Sequence, residues 1–248
     1  MEDNWQFIRE FYARKGFFTC AQRGPGDELR DIQVDNVWYA PASEKEIASL
    51  EKKMSKRLTP SHKRFLSMTN GGFFFAQKIK APINASGLMG RISLKILRIM
   101  GKDYESGFQL YSTNEMPCEY KWTYKLMKEV ADETFDEDED KEKQQYLRWL
   151  DNVLIIGEEP QSGNYLSIDY NRNGNSGEYP VIFINHEVPL SCSVIENDES
   201  VIACSIENLL VQAAKNPANF LMKVLGGLAT YSDGNTDIDW YPKSYRTM

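Results

Sequence analysis

Two consecutive stretches of the chain carry apolar residues at helical spacing. In the first, Ile47, Leu50 and Met54 lie three and four residues apart with lysine, glutamate and small residues between them, which predicts an amphipathic helix. Ser43 and Glu46 are spaced as a capping box, in which each side chain accepts a hydrogen bond from the other residue's backbone N–H. The first helix is therefore expected to begin after Ser43 and to bury one stripe.

The second stretch predicts another helix with its own start and stop signals. Thr59 fits the N-cap, and Pro60 fits the first helical position, where a missing N–H costs nothing. The expected buried face consists of Phe65, Leu66 and Met68. The Asn-Gly-Gly sequence at 70–72 is interpreted as a C-cap, because glycine adopts the left-handed conformation that satisfies terminal carbonyl groups. The three phenylalanines after it are typical of a buried strand.

Weaker patterns outline the rest of the chain. Residues 114–130 are predicted to be helical because Trp122, Leu126 and Val130 lie four residues apart, and the acidic residues 131–142 are expected to repel one another into a solvated loop. The other predicted elements are an opening helix that buries Trp5, Ile8, Phe11 and Tyr12, extended structure at 32–39, strands at 91–96, 108–111, 153–170 and 178–187, a hairpin loop at 171–177, and a helix within 205–213.

The two helices and the glycine pair resemble the SUKH superfamily, in the branch of the fungal cell-wall-assembly regulators and many bacterial immunity proteins. The family pattern Ile-x-x-Leu-Glu, Leu-Pro, Phe-Leu, Asn-Gly-Gly is matched by Ile47, Leu50, Glu51, Leu58, Phe65, Leu66, Asn70, Gly71 and Gly72. The family has a proline directly after the second leucine and an aromatic residue three residues later. This chain has Thr59 and His62 at those positions, and its proline is Pro60.

The resemblance implies an α+β fold in which N-terminal helices are followed by a mostly antiparallel sheet with flanking helices. The stretches at 153–170 and 178–187 look like the family's central strands. A chain of 248 residues with 42% hydrophobic content is long enough for a large core without disulfides, and we expect a single domain. Its parts are expected to be a helical N-terminal extension at 1–36, a SUKH-like core at 37–214, and a C-terminal helix and tail at 215–248.

The net charge of -7 is unevenly distributed along the chain. Residues 77–102 contain six basic and no acidic residues, whereas residues 131–142 contain eight acidic residues and one lysine. Residues 151–214 contain ten acidic residues against one arginine, so the second half should project a negative field. The basic stretch lies beside the phenylalanines at 73–75 and could contact phosphates, but a solvated sheet edge is the more economical interpretation, and we expect no nucleic-acid partner.

The sequence also indicates where the protein resides. No window approaches eighteen uninterrupted apolar residues, and the N-terminus is acidic where a signal peptide is basic, so we expect a cytoplasmic protein with no membrane partner. Four scattered cysteines without a Cys-x-x-Cys pair are expected to be reduced and structural, and no metal or cofactor is expected.

Each candidate for catalysis lacks the surroundings that chemistry requires. His186 and Glu187 suggest an acid–base pair with Cys192 or Cys204 as nucleophile, yet neighbouring residues on a strand point to opposite faces. The acidic pair at 158–159 lacks the alternating ligand pattern of a calcium loop and is interpreted as a solvated turn. We therefore expect no catalytic residues, and an enzyme of unrecognised type ranks last among the functions considered.

The family resemblance implies a non-catalytic protein that binds another protein, most often a toxin, and blocks its active site. The hypothesis that follows is an immunity protein whose cognate toxin is a polymorphic or contact-dependent one, with a basic nuclease as one form, since an acidic inhibitor can mimic phosphate in a basic cleft. The alternative is a regulatory scaffold of cell-wall or signalling proteins. The candidate partner-binding residues are Glu158, Glu159, Glu178, Asp198, Glu199, Asp136, Asp138 and Asp140. The sequence leaves the oligomeric state open.

Overall fold

The computed structural model describes residues 4–13, 18–23, 29–76, 108–159, 164–172, 176–186, 189 and 200–215. Within these residues there are six α-helices and eight strands. In chain order they are α1 (Asn4–Tyr12), β1 (Phe18–Arg23), β2 (Leu29–Trp38), α2 (Glu44–Met54), α3 (Pro60–Met68), β3 (Gly72–Ala76), β4 (Phe108–Leu110), α4 (Met116–Thr134), α5 (Asp140–Leu150), β5 (Val153–Glu159), β6 (Asn164–Asp169), β7 (Val181–Ile184), β8 (Val201–Ala203) and α6 (Ile206–Lys215).

Both predicted helix starts are confirmed. The N–H of Glu46 donates to Ser43 Oγ at 3.3 Å, and the N–H of Ser43 donates to Glu46 Oε2 at 2.8 Å, which completes the capping box of α2. Thr59 Oγ1 accepts the N–H of His62 at 3.2 Å, and Pro60 is the first residue of α3. The predicted stripe of α2 is buried, as are Phe65 and Leu66 of α3.

The interpretation of the glycine pair as a C-cap is wrong. Helix α3 ends at Thr69, whose backbone is extended. Gly71, at a φ of 84°, lies so close to β4 that a Cβ atom there would stand 2.6 Å from the carbonyl oxygen of Leu110, and a Cβ on Gly72 would stand 2.2 Å from that of Val37. The glycines are therefore required by the close approach of β2, β3 and β4.

The predicted α+β class is confirmed by the sheet. Across the described ranges, β2 to β8 form a seven-stranded antiparallel sheet in chain order, and β1 extends it by pairing with residues 29–34 of β2. Strands β6 and β7 are antiparallel neighbours, as the hairpin prediction required. The predicted strand at 91–96, the basic stretch 77–102 and the tail beyond 215 lie outside the described residues.

Helices cover both faces of the sheet. On one face, Phe74 of β3 packs its ring 5.0 Å from Tyr12 of α1 and 6.1 Å from Phe65 of α3. On the other face, Trp149 of α5 donates through Nε1 to the fully buried carboxylate of Asp169 in β6, at 3.0 Å. The acidic stretch and the helices around it thus belong to the second face.

The opening helix packs as predicted, with Trp5, Ile8, Phe11 and Tyr12 all buried. The Tyr12 hydroxyl donates to the carbonyl oxygen of Leu210 in α6 at 2.9 Å, which joins the first helix to the last one described. The division of the chain into an extension, a core and a tail stays a prediction.

Candidate protein-binding surface

The prediction of a solvated loop for the acidic stretch is wrong, because residues 131–142 form a corner between two helices. Helix α4 continues to Thr134, a short 3₁₀ helix spans Glu137–Glu139, and α5 begins at Asp140. We call residues 132–142 the acidic corner. A capping box and an ion pair outweigh the repulsion between its charges.

Two contacts fix the acidic corner. The backbone N–H of Asp136 donates to Glu139 Oε2 at 3.2 Å and closes a capping box, while Lys143 Nζ lies 2.9 Å from Asp132 Oδ1 and ties α5 to α4. Two further carboxylates lie in the first turn of α5, where the helix dipole favours negative charge. These interactions explain why so many like charges remain in ordered secondary structure.

The acidic corner holds three of the eight residues proposed for partner binding. Asp136, Asp138 and Asp140 are all exposed, within five consecutive residues. The acidic corner therefore exposes three negative charges within a short segment of ordered chain.

The prediction that Glu158 and Glu159 form a solvated turn is wrong, because both residues lie at the end of strand β5. Glu159 is only 2% exposed, so its carboxylate faces the protein interior. Glu158 is half-buried, opposite Gln109 in β4 and Tyr165 in β6. The pKa of the Tyr111 hydroxyl is raised well above its usual range, first by burial and then by the negative charge of Glu158. The structure thus places both carboxylates within the sheet.

Glu178 lies at the start of α3, in contact with its first turn. Its carboxylate accepts the N–H of Ser61 at 2.7 Å and the Ser61 hydroxyl at 2.6 Å. This geometry satisfies a free N–H at the helix N-terminus and links the segment before β7 to α3. The remaining two candidates, Asp198 and Glu199, lie outside the described residues.

Of the residues considered for catalysis, the structure describes His186 and Cys204. His186 lies after the end of β7, where its Nδ1 is 3.2 Å from Oδ1 of the buried Asn164. Cys204 is exposed, while Glu187 and Cys192 are outside the described ranges. Within the residues that the structure describes, no group of three or more His, Cys, Asp or Glu side chains could hold a metal ion.

The predicted helix at 114–130 is confirmed as α4, and its outer face carries an exposed tryptophan. Trp122 is 58% exposed, and Leu126 and Val130 are half-buried. The row that faces the sheet is displaced by one residue and consists of Met116, Thr123, Met127 and Ala131. Because the two rows have the same spacing of four, their pattern alone could not show which one packs inward.

A cavity of about 530 Å³ opens elsewhere, between α1, β2 and α3. Its lining includes Tyr12, Trp38 and Met68, together with the exposed Arg9. The lining carries none of the acidic candidates, so it is separate from the acidic corner.

Comparison with known proteins places the chain in a family. A model described as the SMI1 / KNR4 family (SUKH-1) matches residues 41–212, which is more than half of the chain. No individual curated protein matches it. None of the helices in the described ranges combines the length and the apolar composition needed to cross a membrane.

Proposed function

Because the chain belongs to the SMI1 / KNR4 family (SUKH-1), we propose that it is a non-catalytic immunity protein that binds and neutralises a cognate toxin domain by blocking its active site. The observation that carries this proposal is the acidic corner, where Asp136, Asp138 and Asp140 are all exposed within five consecutive residues. A basic nuclease cleft is the kind of toxin site that such a surface complements.

The electrostatics of the acidic corner support a role in association. Charges that are held in a fixed array attract an oppositely charged partner over about one Debye length and raise the rate of encounter by a factor of ten or more. Asp136 and Glu139 are held by their capping box, and Asp132 is held by Lys143. The array is therefore ordered before a partner arrives, which lowers the entropy lost on binding.

The proposal assigns different roles to the eight carboxylates named from the sequence. The exposed Asp136, Asp138 and Asp140 contact the toxin directly. Glu178 supports the fold by binding Ser61. Glu158, which is half-buried in β5, and Glu159, which is buried, are assigned no part in the contact surface. Asp198 and Glu199 stay candidates for the same surface.

Co-expression tests the proposed function. The toxin domain encoded by the neighbouring gene should arrest growth when expressed alone, and the chain should restore growth and co-purify with it. Failure of the chain to bind or protect would contradict the proposal. Capture of cell-wall or signalling proteins without protection would favour the alternative, a regulatory scaffold.

Charge neutralisation tests the assigned surface. The double variant Asp136→Asn with Asp138→Asn keeps side chains that can cap a helix and removes two charges, so its association with the toxin domain should be about tenfold slower at low salt. The matched control is Glu10→Gln with Glu44→Gln, which removes two exposed charges from α1 and α2. Stopped-flow experiments at two salt concentrations measure the association rate of each double variant. Equal rates for the two would show that the toxin does not contact the acidic corner.

A further inference from the structure

We propose that the outer face of α4 anchors the partner: Trp122 inserts into an apolar pocket of a basic protein, and the exposed carboxylates beyond it, Glu133 first among them, pair with lysine and arginine around that pocket. This inference rests on the proposed function and names the residue that holds the complex together. The occupant is a protein surface, since the same carboxylates repel phosphate groups of nucleic acids and anionic lipids.

Helix geometry places the tryptophan and the charges in one line. At about 100° per residue, Glu129 and Glu133 lie within about 20° of Trp122 around the axis of α4. The rise of 1.5 Å per residue sets Glu133 about 16 Å from Trp122 along the helix. Leu126, one turn from the tryptophan, is half-buried and continues the apolar surface between them. This row of four residues is the α4 face.

The exposure of Trp122 is unusual for its size. It is the large hydrophobic side chain that stands out as exposed among the residues described, at 58%. A tryptophan in this position contributes little to folding, because α4 is held to the sheet by the opposite row. Tryptophan is also among the residues that most often dominate the energy of protein interfaces.

The acidic residues at the end of α4 oppose the helix dipole. Asp132 and Glu133 lie in its last turn, which contains no basic residue. The C-terminus of a helix carries partial negative charge, so carboxylates there destabilise it. Asp132 is compensated by Lys143, whereas Glu133 is exposed and forms no ion pair within the described ranges. Its position fits attraction of a cationic partner better than it fits stabilisation of the fold.

The size of this surface fits one interface. A contact of standard size buries about 800 Å² on each partner, a patch roughly 30 Å across. The α4 face extends about 16 Å along the helix, and the acidic corner begins at the C-terminal end of α4. In such an interface the inserted tryptophan controls dissociation, and the exposed charges beyond it control association.

Surface plasmon resonance with the purified toxin domain of the neighbouring gene as probe separates these roles. Trp122→Ala should dissociate at least thirtyfold faster with association changed less than threefold, and Trp122→Phe should recover most of the loss. Glu133→Gln should slow association several-fold at low salt and lose this effect at high salt. The matched control is Lys121→Ala, an exposed neighbour that points about 100° away from the tryptophan.

The outcomes distinguish this inference from the proposed function. If the Trp122→Ala variant binds and protects, and dissociates from the toxin domain at the wild-type rate, then Trp122 is not the anchor and the proposed function still stands. Failure of the wild-type chain to bind overturns both. A change from dimer to monomer in sedimentation, without altered toxin dissociation, assigns the α4 face to contact between copies and also overturns the inference. The unfolding midpoint of Trp122→Ala should equal that of the wild type, because the side chain is exposed and alanine favours helix.

Discussion

His62 is a buried histidine on α3, where the family pattern has an aromatic residue. It is 1% exposed, and its Nδ1 has no hydrogen-bond partner within the part of the chain that the structure describes. Burial penalises the charged imidazolium and lowers the pKa of His62 from 6.5 to about 3. His62 is therefore neutral in the folded protein, and its imidazole ring packs in the core as an aromatic side chain would.

This burial predicts a specific loss of stability in mild acid. Between pH 6.5 and pH 3 the unfolded chain binds a proton at residue 62 and the folded chain does not, so stability falls as the pH falls through this range. At pH 5 the loss from this residue should be about 2 kcal/mol. The free energy of unfolding in urea should fall between pH 7 and pH 5 in the wild type, and in His62→Phe this fall should be smaller by about 2 kcal/mol.

The comparison of His62→Phe with the wild type decides this prediction. An equal drop in His62→Phe and the wild type would show that His62 takes up a proton in the folded state.

At the scale of elements, Gly71 sets how closely β3 approaches β4. Its φ of 84° is matched by the φ of 80° at Gly177, but the space around the two differs. A Cβ on Gly71 would meet the Leu110 carbonyl oxygen at 2.6 Å, whereas one on Gly177 would meet only Pro60, at 3.9 Å. The two glycines share the backbone conformation and differ in the contact.

A pair of alanine variants separates the cost of the left-handed backbone from the cost of the close contact with β4. Gly177→Ala should lose about 1 to 2 kcal/mol, the cost of a left-handed alanine. Gly71→Ala should lose roughly 3 kcal/mol or more, because strand β4 must also move away. Urea unfolding measures both, and equal losses would mean that the sheet relaxes around Gly71 without cost.

Helix ends give a second prediction at this scale. Glu133→Gln and Glu142→Gln each remove one charge from the acidic corner, so both relieve a similar repulsion. The first charge lies at the C-terminus of α4 and the second in the first turn of α5, so the dipole acts on them with opposite signs. Glu133→Gln should be more stable than Glu142→Gln by about 0.5 to 1 kcal/mol at low salt. The difference between their urea midpoints should shrink as salt is added, and the reverse order would contradict a dipole effect.

The elements that the sequence predicted correctly are those specified by local chemistry. Ser43, Glu46, Thr59 and Pro60 act on backbone groups within four residues of themselves, so their spacing was sufficient. The acidic corner was mistaken for a loop because repulsion was weighed without the capping box of Asp136. Helix-capping hydrogen bonds and repulsion between like charges act over the same short distances. Their balance decides whether such a segment forms a helix or a loop.

At the scale of the whole molecule, the errors arise where distant segments meet. Whether Trp122 or Thr123 faces the sheet depends on how α4 docks, and the two rows are equally spaced. Glu159 lies in a central strand of a sheet that is covered on its faces, so its burial depends on packing between distant segments, which adjacent residues do not reveal. The candidate surface was therefore predicted in part: the acidic corner followed from charge, and the tryptophan beside it followed only from packing.

The contact between Tyr12 and Leu210 also has a meaning for synthesis of the chain. Because the strands pair in chain order, each strand that leaves the ribosome finds its neighbour already made, and the sheet can grow from one edge. Among the described helices α1 is translated before the others, yet the Tyr12 hydroxyl donates to a residue of α6. Helix α1 can pack on Phe74 once β3 is made, but its contact with α6 must wait for nearly two hundred residues of translation.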